Sequence, residues 1–247
     1  MILAMSAVEI STLILVLAFL FLGFKILETT WSYRITKPYA WETSVKQGII
    51  PKKLKRIERF YRDKVRFYFF WLQIERLKKE NIDGAFAELG VYKGDTARII
   101  HEMDPSRDLH LFDTFEGFDQ RDLEMESILP ENKGIDFSDA RVEAVKKFIG
   151  GNNNITFYKG YFPESAVNPD VHYALVHLDA DLYRPTIAAL NYFYSRLSPG
   201  GVIIIHDYNH TWNGVQKAVA EFLPGIPEHI VELSDWQGSV VIVKNKK

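Results

Sequence analysis

Residues 86–100 read FAELGVYKGDTARII, an apolar strand-like run that breaks at Gly90 and resumes as a helical pattern after Gly94. Glu88, Gly90 and Gly94 form an E-x-G-x-x-x-G pattern across that break. Gly90 lets the chain turn tightly, and Gly94 keeps a ligand close to the backbone near the helix N-terminus. The dinucleotide fingerprint G-x-G-x-x-G needs its second glycine where this chain has Tyr92, which counts against a nicotinamide or flavin cofactor. Glycines are common in such turns without any ligand, so the remaining strands have to decide.

The same alternation recurs downstream. Residues 108–114 (DLHLFDT), 154–160 (NITFYKG), 173–180 (YALVHLDA) and 202–207 (VIIIHD) read as strands. Helical patterns follow in SDARVEAVKKFIG (138–150), PTIAALNYFYSRL (185–197) and WNGVQKAVAEFL (212–223). Ser138 suits an N-cap, Gly150 a helix stop and Pro185 a first helical turn. SPGG (198–201) reads as a turn, and HIVELSD with GSVVIVKN as two closing strands joined by a short loop. Continuous apolar strands alternating with helices predict an α/β fold, a mostly parallel sheet covered on both faces. In such sheets ligands lie outside the carboxyl ends of the strands.

Those strand ends carry the chemistry. Asp113 ends the second strand 25 residues after Glu88, near the distance at which an acid holds ribose hydroxyls. Asp179 and Asp181 end the fourth; Asp181 is placed to cap the next helix, which leaves Asp179 for a hydroxyl or a cation. His206 and Asp207 end the fifth. Two carboxylates and an imidazole in one crevice suit a divalent ion: oxygen ligands favour Mg²⁺, and the imidazole tilts the preference toward Mn²⁺. The bland alternative for each is a polar residue opening a loop.

The rest of the chain bounds the partners. Of 247 residues 47% are hydrophobic and 25% charged, as in ordinary globular proteins, and a net charge of −2 gives no sign of a nucleic-acid binder. The absence of cysteine excludes disulfides, thiolate metal sites and thiol nucleophiles. From Met1 to Leu27 the only charges are Glu9 and Lys25, an apolar stretch just adequate for the roughly 20 residues of a membrane span. No basic residue precedes it and no small-residue cleavage site follows, so it reads as an anchor. Trp31, Tyr33, Tyr39 and Trp41 suit the headgroup zone, and Lys25, Arg34 and Lys37 put the main domain in the cytoplasm. Residues 51–80 hold eleven Lys or Arg against four acids, interleaved with aromatics. They predict helices with a basic side, packed on the domain or drawn to anionic lipid, that could serve as a lid or a dimer face. Residues 116–137, acid-rich and poor in aliphatics, read as a lid, part of an acceptor site or a surface loop.

FAELGVYKGDTA, LHLFDTFEGF, GYFPES, LDADLYRPT and LSPGGVIIIHDYN, in this order over residues 84–223, together resemble the macrocin O-methyltransferase family of class I S-adenosylmethionine-dependent methyltransferases. The resemblance implies a Rossmann-like seven-stranded sheet with an antiparallel last strand and methyl transfer to a sugar hydroxyl, usually assisted by Mg²⁺. It implies that Glu88, Gly90 and Gly94 border the methionine part of the cofactor, that Asp113 holds its ribose, and that Gly160 and Tyr161 flank the adenine. Asp179 would be metal ligand and general base, with Asp207 a second ligand. Better-known members have Asp-Asp-Tyr-Gly where this chain has His206-Asp207-Tyr208-Asn209. His206 is therefore either a replacement metal ligand or itself the group that takes the substrate proton.

These readings predict an anchor over residues 1–30, a basic, aromatic helical linker or lid over 31–83, and a methyltransferase domain over 84–247. The expected activity is membrane-anchored O-methylation of a sugar or glycan, for example a lipid-linked one. The rivals are methylation of a small soluble phenol or metabolite, and an inactive cofactor-binding scaffold.

Overall fold

The computed structural model describes residues 6–124, 126, 134–135, 137–151, 153–167 and 170–246, except the side chains of residues 30–36. The expected headgroup residues Trp31 and Tyr33, and Arg34 of the expected basic flank, thus lie outside the described side chains. The chain forms two compact units, residues 1–50 and 51–247. The first holds α1 (Ala7–Thr36) and α2 (Tyr39–Lys46). α1 starts at a capping box, in which the Ser6 N–H donates to Glu9 Oε2 (2.7 Å) and the Glu9 N–H to Ser6 Oγ (3.3 Å). Its residues 7–29 are long and apolar enough to cross a membrane.

The second unit is a seven-stranded sheet in the order β3-β2-β1-β4-β5-β7-β6. The strands are β1 (Ala85–Leu89), β2 (Leu109–Asp113), β3 (Ile155–Lys159), β4 (Tyr173–Leu178), β5 (Leu197–Ile205), β6 (Val231–Glu232) and β7 (Val240–Val243). The first five run parallel, and β7 is antiparallel to both β5 and β6. This is the expected mostly parallel sheet with an antiparallel final strand. β1, β4 and the second half of β5 are buried along their length, as unbroken apolar runs require in a sheet covered on both faces. On one face α8 (Tyr183–Arg196) and α9 (Asn213–Phe222) enclose a core around Phe162, Phe193, Val219 and Ile242. On the other, α5 (Asp95–Met103) packs with α3 (Lys52–Phe60), α4 (Lys64–Lys79) and α7 (Val142–Ile149); a short α6 (Gln120–Leu123) lies against α8.

α4 explains the aromatic run RFYFFW. Phe67, Tyr68, Phe70 and Trp71 are all buried, and Phe70 meets the ring of His177 edge-on at 5.1 Å. Asp63 caps this helix, accepting from the Arg66 N–H at 2.9 Å.

Three local expectations are corrected. Ser138 is not the cap of α7: the helix starts at Val142 after an extended Arg141. SPGG is not a turn between elements, because β5 begins at Leu197 and absorbs the extra residues as an irregularity, pairing Tyr173 with Leu197 but Leu175 with Val202. Asp181 does not cap α8, whose preceding residue is Leu182; instead Asp181 turns inward and is buried.

Replacing Phe70 with Ala is expected to lower stability by about 3–5 kcal/mol, the usual loss for a large buried aromatic, because it opens a cavity between α4 and the sheet. Denaturant unfolding of the second unit checks this, and an unchanged midpoint would refute the anchoring role of α4.

Candidate active site

The parallel register sets the strand ends side by side. The Gly90 N–H donates to Phe112 O (3.0 Å), that of Gly160 to Asp113 O (3.0 Å), that of Asp179 to Leu89 O (2.9 Å) and that of His206 to Leu178 O (2.8 Å). Gly90, Asp113, Gly160, Asp179 and His206 thus fall on one line at the carboxyl edge. They border a cavity of about 380 Å³ together with Tyr161 and Asp207. A cavity of this size lies within the range that ligand pockets occupy.

Gly90 is required by geometry. Its φ is +85°, and a Cβ there would sit 1.9 Å from the carbonyl oxygen of Asp179. No other residue allows β1 and β4 to close at this point.

Asp113 accepts from three backbone amides: Val91 (2.8 Å) and Tyr92 (2.9 Å) on Oδ2, and Phe115 (2.6 Å) on Oδ1. A carboxylate has about four acceptor positions, so roughly one remains for a ligand hydroxyl. Its first task is to fold the β1–α5 turn. At the far side of the cavity the Tyr161 hydroxyl donates to Asp122 Oδ1 (2.8 Å), and the Arg121 guanidinium stacks 3.7 Å from the Tyr161 ring.

Two expected cofactor residues do not border this cavity. Glu88 points beneath it, with Oε1 3.0 Å from His177 Nδ1. Burial, with the charges of Asp179 and Asp113, holds the Glu88 carboxyl well above its usual range, and burial pushes His177 down to about 3. The two share one proton and carry no net charge. Gly94 faces α7: the place its Cβ would take lies 2.8 Å from Val145 Cγ1 and 3.1 Å from Ile149 Cγ1. Its absent side chain leaves room for a neighbouring helix.

The polar centre is a triad. His206 Nδ1 lies 2.8 Å from Asp179 Oδ1 and 2.9 Å from Asp207 Oδ2, so its N–H is shared by two carboxylates. Burial opposes the charge on His206, but the two carboxylates prevail and push it up to about 10. Burial likewise opposes ionisation of Asp179, and His206, His177 and Arg66 together hold its carboxyl below the usual range. Asp181 behaves oppositely: burial and the charges of Asp179 and Asp207 raise it well above that range, leaving it a hydrogen-bond donor to Asp207.

Sequence reasoning missed Arg66 and Gln237. The Arg66 guanidinium donates from Nη2 to Gln237 Oε1 (3.1 Å), and Gln237 Nε2 donates to Asp207 Oδ1 (3.1 Å). The available signal was a lone arginine inside a buried aromatic helix, since a buried cation needs partners.

Asp179, His206 and Asp207 each offer a ligand atom within 4.8 Å of the others. His206 Nε2 is buried without a hydrogen-bond partner. Two carboxylates and one imidazole, whose Nε2 is the orphaned atom, fit a divalent ion that accepts nitrogen, Mn²⁺ before Mg²⁺, provided that the ion displaces the proton His206 otherwise holds. Residues 125, 127–133 and 136 of the expected lid lie outside the described residues, whereas Phe118, Asp119, Asp122, Ile135 and Phe137 from the same stretch border the cavity.

Comparison with known proteins agrees with this architecture. The family model described as Macrocin-O-methyltransferase (TylF) matches residues 64–241. An 8-demethyl-8-(2,3-dimethoxy-alpha-L-rhamnosyl)-tetracenomycin-C 4'-O-methyltransferase from Streptomyces olivaceus is 28% identical over 150 residues, 55% of this chain and 57% of that protein. The chain thus spans little more than half the length of this relative. A mycinamicin III 3''-O-methyltransferase from Micromonospora griseorubida is 29% identical over 182 residues, 67% of this chain and 70% of that protein. The structure of the O-methyltransferase NovP superimposes with a TM-score of 0.61 at 20% identity, covering 74% of this chain and 80% of that one, and supports the fold alone. With the matched region spanning six of the seven strands, the start of β7 and the triad, the chain belongs to the macrocin O-methyltransferase family.

Proposed function

We propose that this chain is an S-adenosylmethionine-dependent O-methyltransferase that methylates a sugar hydroxyl. The observation that carries this reading is Asp179: an ionised carboxylate at the cavity wall, held by His206 and a quarter exposed to whatever enters. The Streptomyces olivaceus relative is named as an O-methyltransferase of a rhamnosyl-tetracenomycin, which supports the choice of acceptor.

S-adenosylmethionine, when bound, supplies a methyl group on a positively charged sulfur. The chain's own work is to place an acceptor oxygen in line and to take its proton. Gly90, Asp113 and Tyr161 suit the cofactor half of the cavity, and Asp179 with its neighbours the acceptor half. As the hydroxyl oxygen forms its bond to carbon and the carbon–sulfur bond breaks, Asp179 accepts the hydroxyl proton, leaving a methyl ether and S-adenosylhomocysteine. His206, shared between two carboxylates, acts by orienting Asp179. A divalent ion would be held by Asp179, His206 and Asp207, and would supply Lewis acidity toward the acceptor oxygen.

We further propose that residues 7–29 anchor the enzyme in a membrane with the catalytic unit on the cytoplasmic side. The apolar side chains of α1 support this: Val8, Phe19 and Leu27 are 70% exposed or more.

Calorimetry on the full chain in detergent is expected to show S-adenosylhomocysteine binding; none under any condition would refute the methyltransferase reading. Asp179→Asn is expected to keep that binding and to lose about 10²–10⁴-fold in methyl transfer, the worth of general-base help. Asp113→Ala is expected to lower the thermal midpoint even without ligand, because three amides lose their acceptor at about 1–3 kcal/mol each. An unchanged midpoint would make Asp113 a ligand group only. Mn²⁺ titrated into the protein should lose its free-ion resonance signal, and Asp207→Asn should restore it.

A further inference from the structure

A second cavity, of about 1360 Å³, adjoins the first and shares Arg66 and Gln237 with it. Six cations face it: Lys52, Lys53 and Arg56 from α3, Arg62 and Arg66 from the α3–α4 corner and the start of α4, and Arg98 from α5. Two acids oppose them, Asp63 and Asp95. Asp63 is already committed, accepting from the Arg66 N–H at 2.9 Å and the Trp236 N–H at 2.9 Å. Lys53 is paired with Glu102. Lys52, Arg56, Arg62 and Arg98 have no ion-pair partner among the described residues. The chain is slightly acidic overall, so this local excess of positive charge is no reflection of composition.

Arg66 is the independent observation. It is 7% exposed and borders both cavities. Its Nε has no hydrogen-bond partner, the nearest carboxylate oxygen being Asp235 Oδ2 at 3.8 Å. Nη2 donates to Gln237 and lies 3.7 Å from Asp63 Oδ2, so the buried N–H left for a further acceptor is that of Nε. Guanidinium groups match phosphate oxygens through paired donors, and a cleft of converging arginines and lysines is the usual means of holding a phosphate ester. On its rim lie two exposed aromatic side chains, Phe60 and Trp236.

Resting on the methyltransferase reading above, we propose that the acceptor is a sugar carried on a phosphate or diphosphate ester, its anionic group held in the basic cleft while a hydroxyl of the attached sugar reaches Asp179. Arg66 stands where the two cavities meet, between the anionic group and the reacting hydroxyl. Phe60 and Trp236 contact whatever lies beyond the phosphates, a nucleoside base or a lipid chain. Both sources share the recognised chemistry, and both differ from a glycosylated product that carries no phosphate.

The test is calorimetry on the full chain in detergent with EDTA, which removes any metal-bridged binding, using inorganic pyrophosphate, uridine diphosphate and farnesyl diphosphate as probes. The comparison is the double variant Arg56→Ala/Arg62→Ala, two exposed side chains outside the catalytic cavity. Pyrophosphate is expected to bind the native protein and to bind the variant at least roughly tenfold more weakly, as the loss of a charge-assisted hydrogen bond implies, with thermal midpoint and S-adenosylhomocysteine affinity unchanged. Tighter binding of uridine diphosphate than of pyrophosphate would assign a nucleotide-linked acceptor, and tighter binding of farnesyl diphosphate a lipid-linked one; either supports the proposal. No pyrophosphate binding, or equal binding by native protein and variant, overturns it while S-adenosylhomocysteine binding leaves the methyltransferase reading standing. Pyrophosphate bound without any S-adenosylhomocysteine binding would sink that reading, and the acceptor role with it.

Discussion

The site depends on the close approach of β1 and β4. Where the two strands end, the backbone of Gly90 lies against the Asp179 carbonyl so tightly that not even a methyl group fits. That contact fixes the register, and the register places Asp113, Asp179 and His206, at the ends of β2, β4 and β5, at the same height. A slip of one residue would turn each of these side chains to the opposite face of the sheet. The polar centre is thus a product of backbone pairing first and of side-chain chemistry second.

Electrostatics then sorts the acids placed within a small volume. Asp179 keeps its charge because His206 and Arg66 stand beside it, whereas Asp181 and Glu88 are driven to hold a proton. The pairing of Glu88 with neutral His177 keeps the layer beneath the cavity free of net charge. The field that an incoming hydroxyl meets is accordingly set by the triad and by Arg66, which reaches it through Gln237.

Most of the sheet could be read from the chain because its strands are unbroken apolar runs ending in Gly, Asp or His, and period and punctuation agree. Gly90, Asp113 and Asp179 were legible for the same reason: they stand at strand ends, where binding groups are expected. Gly94 carries an ambiguous signal, because a glycine that spares room for Val145 and Ile149 has the same signature as one that spares room for a ligand. Asp181 misled because an acid before a helix is usually a cap, and only the fold reveals that its backbone, at φ +59°, turns the side chain inward. Arg66 and Gln237 lie 171 residues apart and meet only through tertiary packing, which no local pattern records.

The two margins of the sheet differ in a way that bears on behaviour in solution. An open edge strand offers unpaired amides and carbonyls to any passing chain, and long, flat, apolar edges are where proteins stick to one another. Here the outer strand on one side, β6, is only two residues long and ends in Glu232, whose carboxylate is taken by Asn209 at 2.8 Å. On the other side β3 finishes in Lys159, paired with Glu116 at 2.7 Å. Each margin is thus shortened or charged where it would otherwise template further strands, so the sheet ends at seven.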